Sequence, residues 1–140
     1  MRDDTDGGSA KRTVLVIEDD AAIGHMLVTL LGVEGYRPVL IVDGARAIEA
    51  ARTEQPALIT LDLSLPNVSG LEILDRLDEA NGSGADPTNS GVPVPVVVVS
   101  AYTQRLTPRH LERVSAVVQK PFALDGLLRS IAAAIGAGRR

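Results

Sequence analysis

From Thr13 to Ile135, short aliphatic runs alternate five times with amphipathic segments, and this alternation limits the folds open to the chain. Apolar runs of strand length, separated by segments with helical spacing, are the pattern of βαβ units and hence of a parallel sheet. The predicted strands are Thr13 to Ile17, Val39 to Val42, Leu58 to Leu61, Val94 to Val99 and Ala116 to Val118. After the first, Ile23, Met26, Leu27, Leu30 and Leu31 fall on one helical face; after the second, Ala47, Ile48 and Ala51 do. Leu71, Leu74 and Leu77 mark a third helix, and Leu124, Leu127, Leu128, Ile131 and Ile135 mark the last. The strands are apolar without alternation, as expected of a sheet covered on both sides. With one Phe, two Tyr and no Trp, the core is aliphatic and suits such packing.

Punctuation supports the same division. Gly35 closes the first helix, Asp43 can cap the second, and Ser69 with Glu72 forms the S-x-x-E box of the third. Thr107 before Pro108 predicts a fourth helix, short because it can reach only Val114. Asn81 to Gly91 reads as a loop. The stretch 1–12 is polar, with nothing to bury, and is expected to be a disordered tail; one domain follows over 13–136, and 137–140 is a C-terminal tail.

Composition excludes several function classes. There is no cysteine for a disulfide framework or thiolate metal site, which fits a cytoplasmic protein. The apolar run Val92 to Ala101 is broken by Pro93 and Pro95 and is too short to span a bilayer, so no membrane association is expected. A net charge of −4 gives no reason to bind nucleic acid directly.

In an open parallel α/β sheet, ligands sit beyond the carboxyl ends of the strands. Glu18 and Asp19 leave the first strand, Asp62 the third and Ser100 the fourth, and Lys120 follows the fifth. Singly, each residue reads as a helix cap or a solvated side chain. Together they bring three carboxylates to one edge, where they repel one another unless protonated or neutralised. Hard oxygen ligands of this kind suit Mg²⁺. Beside it, the Asp62 carboxylate can act as a nucleophile towards phosphorus, giving an aspartyl phosphate. Lys120 would offset charge on the transferring group, and the Ser100 hydroxyl could donate to it.

These residues resemble the receiver domains of two-component response regulators, from about Thr13 to Ile135. VLVIEDD at Val14 to Asp20 is similar to the family's acidic pair, which implies Glu18 and Asp19 as metal ligands and leaves Asp20 as a helix cap. LDLSLPNVSG at Leu61 to Gly70 matches D-x-x-x-P-x-x-x-G, which implies phosphorylation of Asp62 and a metal ligand in the Ser64 backbone carbonyl. VSA at Val99 to Ala101 matches the switch Ser/Thr, and QKPF at Gln119 to Phe122 matches the Lys-Pro pair, implying a cis bond between Lys120 and Pro121. The resemblance also implies a flavodoxin-like (βα)5 sandwich, with strand order 2-1-3-4-5 and helices on both faces.

By the same resemblance, a histidine kinase or histidine phosphotransfer protein is the donor. The face around the fourth helix, fifth strand and fifth helix carries the output to a downstream protein partner or to a missing output domain. An aromatic residue is expected three positions before the lysine, but Val117 stands there. Tyr102, two residues past the switch serine, either substitutes for it in the switch or lies at the surface and tunes water access. The competing reading is a constitutive interaction module that is never phosphorylated. A phosphatase-like hydrolase fits less well, because Ser64 offers no acid two residues past Asp62. The domain is thus expected to be a signalling phosphoacceptor and not an enzyme acting on external substrates, with His25 and His110 as bystanders.

Overall fold

The computed structural model describes residues 11–66, 68–82 and 94–138. It contains β1 (Thr13–Ile17), α1 (Ala21–Val33), β2 (Arg37–Ile41), α2 (Ala47–Glu54), β3 (Leu58–Leu61) and α3 (Gly70–Gly82), then β4 (Val96–Ser100), α4 (Pro108–Arg113), β5 (Ala116–Gln119) and α5 (Leu124–Gly138). The five strands form one sheet in the order β2-β1-β3-β4-β5, all neighbours parallel.

Alternation along each strand sends side chains to two cores. Leu15, Ile17, Ile59, Leu61, Val96 and Val98 pack with Ala47, Ala51, Ile73, Leu74 and Leu77 of α2 and α3. Val14, Val16, Leu58, Val97 and Val99 pack on the other face with Leu27 and Leu31 of α1 and Leu127 and Ile131 of α5. Helices therefore cover both faces, and the apolar run of each central strand is explained by burial on both sides.

The caps act at the predicted places. Asp20 Oδ1 accepts from the Ile23 N–H at 3.1 Å, and Gly35, with φ 94°, takes the left-handed position that ends α1. Asp43 caps a 3-10 turn, Gly44–Arg46, that leads into α2. The expected Ser69–Glu72 box does not form: Ser69 Oγ accepts from the Leu71 N–H at 3.1 Å, and Glu72 turns along the helix to pair with Arg76 at 2.7 Å instead. Thr107 caps α4 reciprocally with His110.

Boundaries differ from expectation where backbone chemistry intervenes. β2 starts two residues earlier, at Arg37, whose N–H donates to the Arg12 carbonyl at 2.8 Å. β4 starts at Val96, not Val94, because Pro95 has no N–H for the ladder and contributes only its carbonyl, which accepts from Ile59 at 3.0 Å. α3 runs to Gly82, past Asn81, so only the later part of the expected loop remains, and it lies outside the described residues. α5 continues through Gly136 to Gly138, beyond the boundary at 136; a glycine near a helix end costs only about 1 kcal/mol relative to alanine. Residues 1–10 of the expected tail, with 139 and 140, also lie outside the described residues.

Gly70 ties this frame to the chemistry at the strand ends. A Cβ added there would lie 2.5 Å from Leu63 Cα and nearer still to the Asp62 carbonyl oxygen, both rigid backbone. Gly70→Ala is expected to destabilise the domain by about 2 kcal/mol, read as a lower urea midpoint, because α3 must back away from Asp62.

Candidate functional site

One further ladder bond beyond each strand fixes the backbone of the polar residues. The Glu18 N–H donates to the Ile41 carbonyl at 3.0 Å, that of Asp62 to Ile17 at 3.1 Å, and that of Lys120 to Ser100 at 3.0 Å. The carboxyl edge of the sheet thereby brings Glu18, Asp19, Asp62 and Lys120 together, and the Lys120–Pro121 bond is cis. Lys120 Nζ donates to Glu18 Oε1 at 2.9 Å and to Asp62 Oδ2 at 3.0 Å.

The remaining carboxylate oxygens receive backbone donors. Asp62 Oδ1 accepts from the Ser64 N–H at 3.0 Å, and Glu18 Oε2 accepts from the Asp20 N–H at 3.2 Å. Neither contact is visible in residue types, since the donors are amides placed by the turns that follow β1 and β3. Glu18 and Asp62 are buried, whereas Asp19 is exposed at the mouth. With Asp20, Ser64, Ala101 and Tyr102, these residues line a cleft of about 280 Å³.

The electrostatics separate the two buried acids. Burial, with the neighbouring Asp62 carboxylate, pushes the Glu18 carboxyl up to about 7 against the opposing Lys120 hydrogen bond. Burial also works against charge on Asp62, but the Ser64 amide, the hydrogen bond with Glu18 and the Lys120 ammonium outweigh it and hold Asp62 below the usual carboxylate range. Lys120 likewise loses solvation, yet Glu18 and Asp62 keep its ammonium above its ordinary value. Asp62 is thus the acid held ionised.

One carboxylate oxygen each from Glu18, Asp19 and Asp62 lies within 4.8 Å of the others. Three carboxylates against one ammonium leave two negative charges uncompensated when all are ionised, which a divalent cation with a preference for hard oxygen would balance. The donor set fits Mg²⁺.

Ser100 is fully buried at the end of β4, and its Oγ accepts from the Tyr102 N–H at 3.1 Å. Tyr102 borders the cleft with its ring under the Arg105 guanidinium, 4.7 Å from the ring centroid. Val117 does not reach the cleft. In register with Val98, it faces the α2–α3 side of the sheet, but β5 is the edge strand and the six residues of α4 leave Val117 38% exposed. His25 is exposed on α1. His110 is no bystander to the fold: Nδ1 accepts from the Thr107 N–H at 3.2 Å, which places the proton on Nε2, 2.9 Å from Asp75 Oδ1, and so ties α4 to α3.

A family model described as the response regulator receiver domain matches residues 14–132. The transcriptional regulatory protein KdpE of Mycobacterium tuberculosis is 33% identical over 129 residues, 87% of this chain and 50% of that protein. The chain spans half or less of the length of the curated relatives it matches. In fold it is similar to the signal receiver domain of a putative LuxO repressor protein from Vibrio parahaemolyticus, with TM-score 0.79, 23% identity and coverage of 93% and 94% of the two chains. It is also similar to response regulator protein TrrA from Thermotoga maritima, solved in complex with Mg²⁺-BeF, with TM-score 0.72, 21% identity and coverage of 87% and 97%. Among the described residues no helix is long and apolar enough to cross a membrane.

Proposed function

The chain belongs to the response regulator receiver domain family, a family of signalling modules, and from that premise we propose that it is a phosphoacceptor switch with Asp62 as the acceptor. A histidine kinase or histidine phosphotransfer protein is the donor. A carboxylate oxygen of Asp62 bonds to phosphorus as the P–N bond of the donor phosphohistidine breaks; the ring nitrogen takes the electron pair, and the imidazole leaves neutral with the proton its other nitrogen already carried. The observation that carries this reading is the buried Asp62 carboxylate with Lys120 Nζ 3.0 Å from Oδ2.

Lys120 holds Asp62 in place and offsets charge on the incoming phosphoryl oxygens, and the Ser100 hydroxyl donates to one of them. Glu18, Asp19, Asp62 and the Ser64 carbonyl would hold Mg²⁺, which when bound supplies further positive charge against those oxygens. Catalysis extends only to the domain's own phosphorylation and dephosphorylation, in the cytoplasm. The altered state is read at the face of α4, β5 and α5 by a protein partner or by an output domain, the relative KdpE being by name a transcriptional regulator and twice as long as the shared stretch. The domain itself occupies 13–136, without direct contact to nucleic acid, in keeping with the chain's net charge of −4.

A constitutive interaction module is the second reading, favoured by Val117 in place of an aromatic residue. Intact mass after incubation with acetyl phosphate separates the two. The switch predicts a gain of one phosphoryl group that depends on Mg²⁺; no gain with Mg²⁺ present overturns the switch in favour of the module.

A further inference from the structure

Val117 does not line the cleft, so a change in the Ser100 side chain needs another path to reach the β5 surface. The β4–α4 connection offers one. Ser100 Oγ holds the Tyr102 N–H at 3.1 Å, and the next residue, Thr103, donates its hydroxyl to Gln119 Oε1 at 2.6 Å. Gln119 is the register partner of Ser100 and the last residue of β5, directly before Lys120. Thr103 also begins a 3-10 turn, Thr103–Arg105, closed by the Arg105 N–H on the Tyr102 carbonyl and the Leu106 N–H on the Thr103 carbonyl, each at 3.1 Å. That turn is a single unit, and two side-chain bonds fasten it: one to the end of β4, one to the end of β5.

We infer that the Thr103–Gln119 hydrogen bond is a latch that carries the state of Ser100 to the β5 surface, in place of the aromatic residue that Val117 replaces. The inference rests on the phosphoacceptor reading above, since it describes how that same site is read out. The latch requires that Ser100, in donating to a phosphoryl group on Asp62, turn about Cα–Cβ to another staggered position, which takes Oγ away from the Tyr102 N–H it now holds. The turn then loses its hold on β4. Thr103 and Gln119 lie at the surface, where a side-chain hydrogen bond competes with water and is individually weak, so displacement of the turn opens it. The Tyr102 ring, held to the turn by Arg105, moves with it at the rim of the cleft. Thr103 is therefore a positioning residue, distant in role from the acids that do the chemistry.

The test compares the native chain with Thr103→Val and Thr103→Ser. Phosphorylation is read as mass gain with acetyl phosphate and Mg²⁺; coupling is read as the change in backbone amide shifts of residues 116–119 on adding beryllium fluoride with Mg²⁺. The expected result is equal phosphorylation in all three, a shift change on β5 in the native chain that is largely lost in Thr103→Val, and its recovery in Thr103→Ser. A purely structural role for the threonine methyl would predict the reverse order of the variants. Retention of the full β5 response in Thr103→Val overturns the latch and leaves the phosphoacceptor reading intact, as does a phosphorylated native chain whose β5 amides do not respond. A native chain that gains no phosphoryl group overturns the phosphoacceptor reading, and the latch with it.

Discussion

Asp62→Asn is expected to reduce labelling by acetyl phosphate from one phosphoryl group per chain to none, while the domain stays folded without metal. Asn keeps one carbonyl oxygen, which can accept the Ser64 N–H now 3.0 Å from Asp62 Oδ1, while its NH2 replaces the Oδ2 that Lys120 now reaches at 3.0 Å; the turn after β3 keeps its donor and Lys120 stays paired with Glu18. What it lacks is the negative charge that attacks phosphorus. Asp62 is one of the groups that push the Glu18 carboxyl up, so its neutralisation lets Glu18 ionise more readily beside Lys120. That gain opposes the loss of the favourably held Asp62 charge, so the thermal midpoint changes little, and the midpoint increase caused by Mg²⁺ shrinks because a ligand charge is gone. Residual labelling of the Asn variant would place the acceptor elsewhere, with exposed Asp19 the next carboxylate to test.

Much of this site is legible in the chain because strand ends are legible. Continuous apolar runs locate the strands, parallel pairing brings their carboxyl ends to one edge, and the first polar residues after Ile17, Leu61 and Gln119 are then neighbours. The strand order itself is not contained in that pattern; it follows from the likeness of the acidic pair, the D-x-x-x-P-x-x-x-G segment and the Lys-Pro pair to a known family. Where periodicity and backbone chemistry disagree, backbone chemistry wins: Val94 is apolar and buried, yet Pro95 delays the strand by two residues.

Less legible are contacts whose donors are backbone amides or whose partners come from distant turns. The Ser64 amide on Asp62 reveals itself only once the turn is folded, although Ser64 stands two residues from Asp62 in the same segment. His110 looks idle on a short helix, and only packing supplies Asp75, 35 residues away. The exposure of Val117 depends on how little of the edge α4 covers, which no local pattern encodes.

Lys120→Met tests the electrostatic account of the site most severely. Its ammonium is the shared cation for two carboxyl groups that are 2% and 5% exposed, and methionine fills similar volume without charge. Removing one partner from a buried ion pair leaves the others uncompensated, so the metal-free variant should lose about 3 kcal/mol of stability at pH 8. The pH dependence has a definite sign. Glu18 has a folded-state pKa raised from 4.5 to about 7, so the folded domain binds its proton more tightly than the unfolded chain does, and the stability it contributes falls as pH rises across that interval. Lys120 opposes that rise; without it Glu18 holds its proton to higher pH still. The penalty of the substitution should therefore be smaller at pH 6, where a protonated Glu18 can donate to Asp62, than at pH 8, where the second charge must be carried or the proton retained at increasing cost. Mg²⁺ neutralises the same oxygens, so urea midpoints of variant and native chain should converge as MgCl₂ is added at pH 8. Equal midpoints at pH 8 without metal would mean that solvent in the open cleft already screens the two carboxylates, and that Lys120 is retained for the phosphoryl group alone.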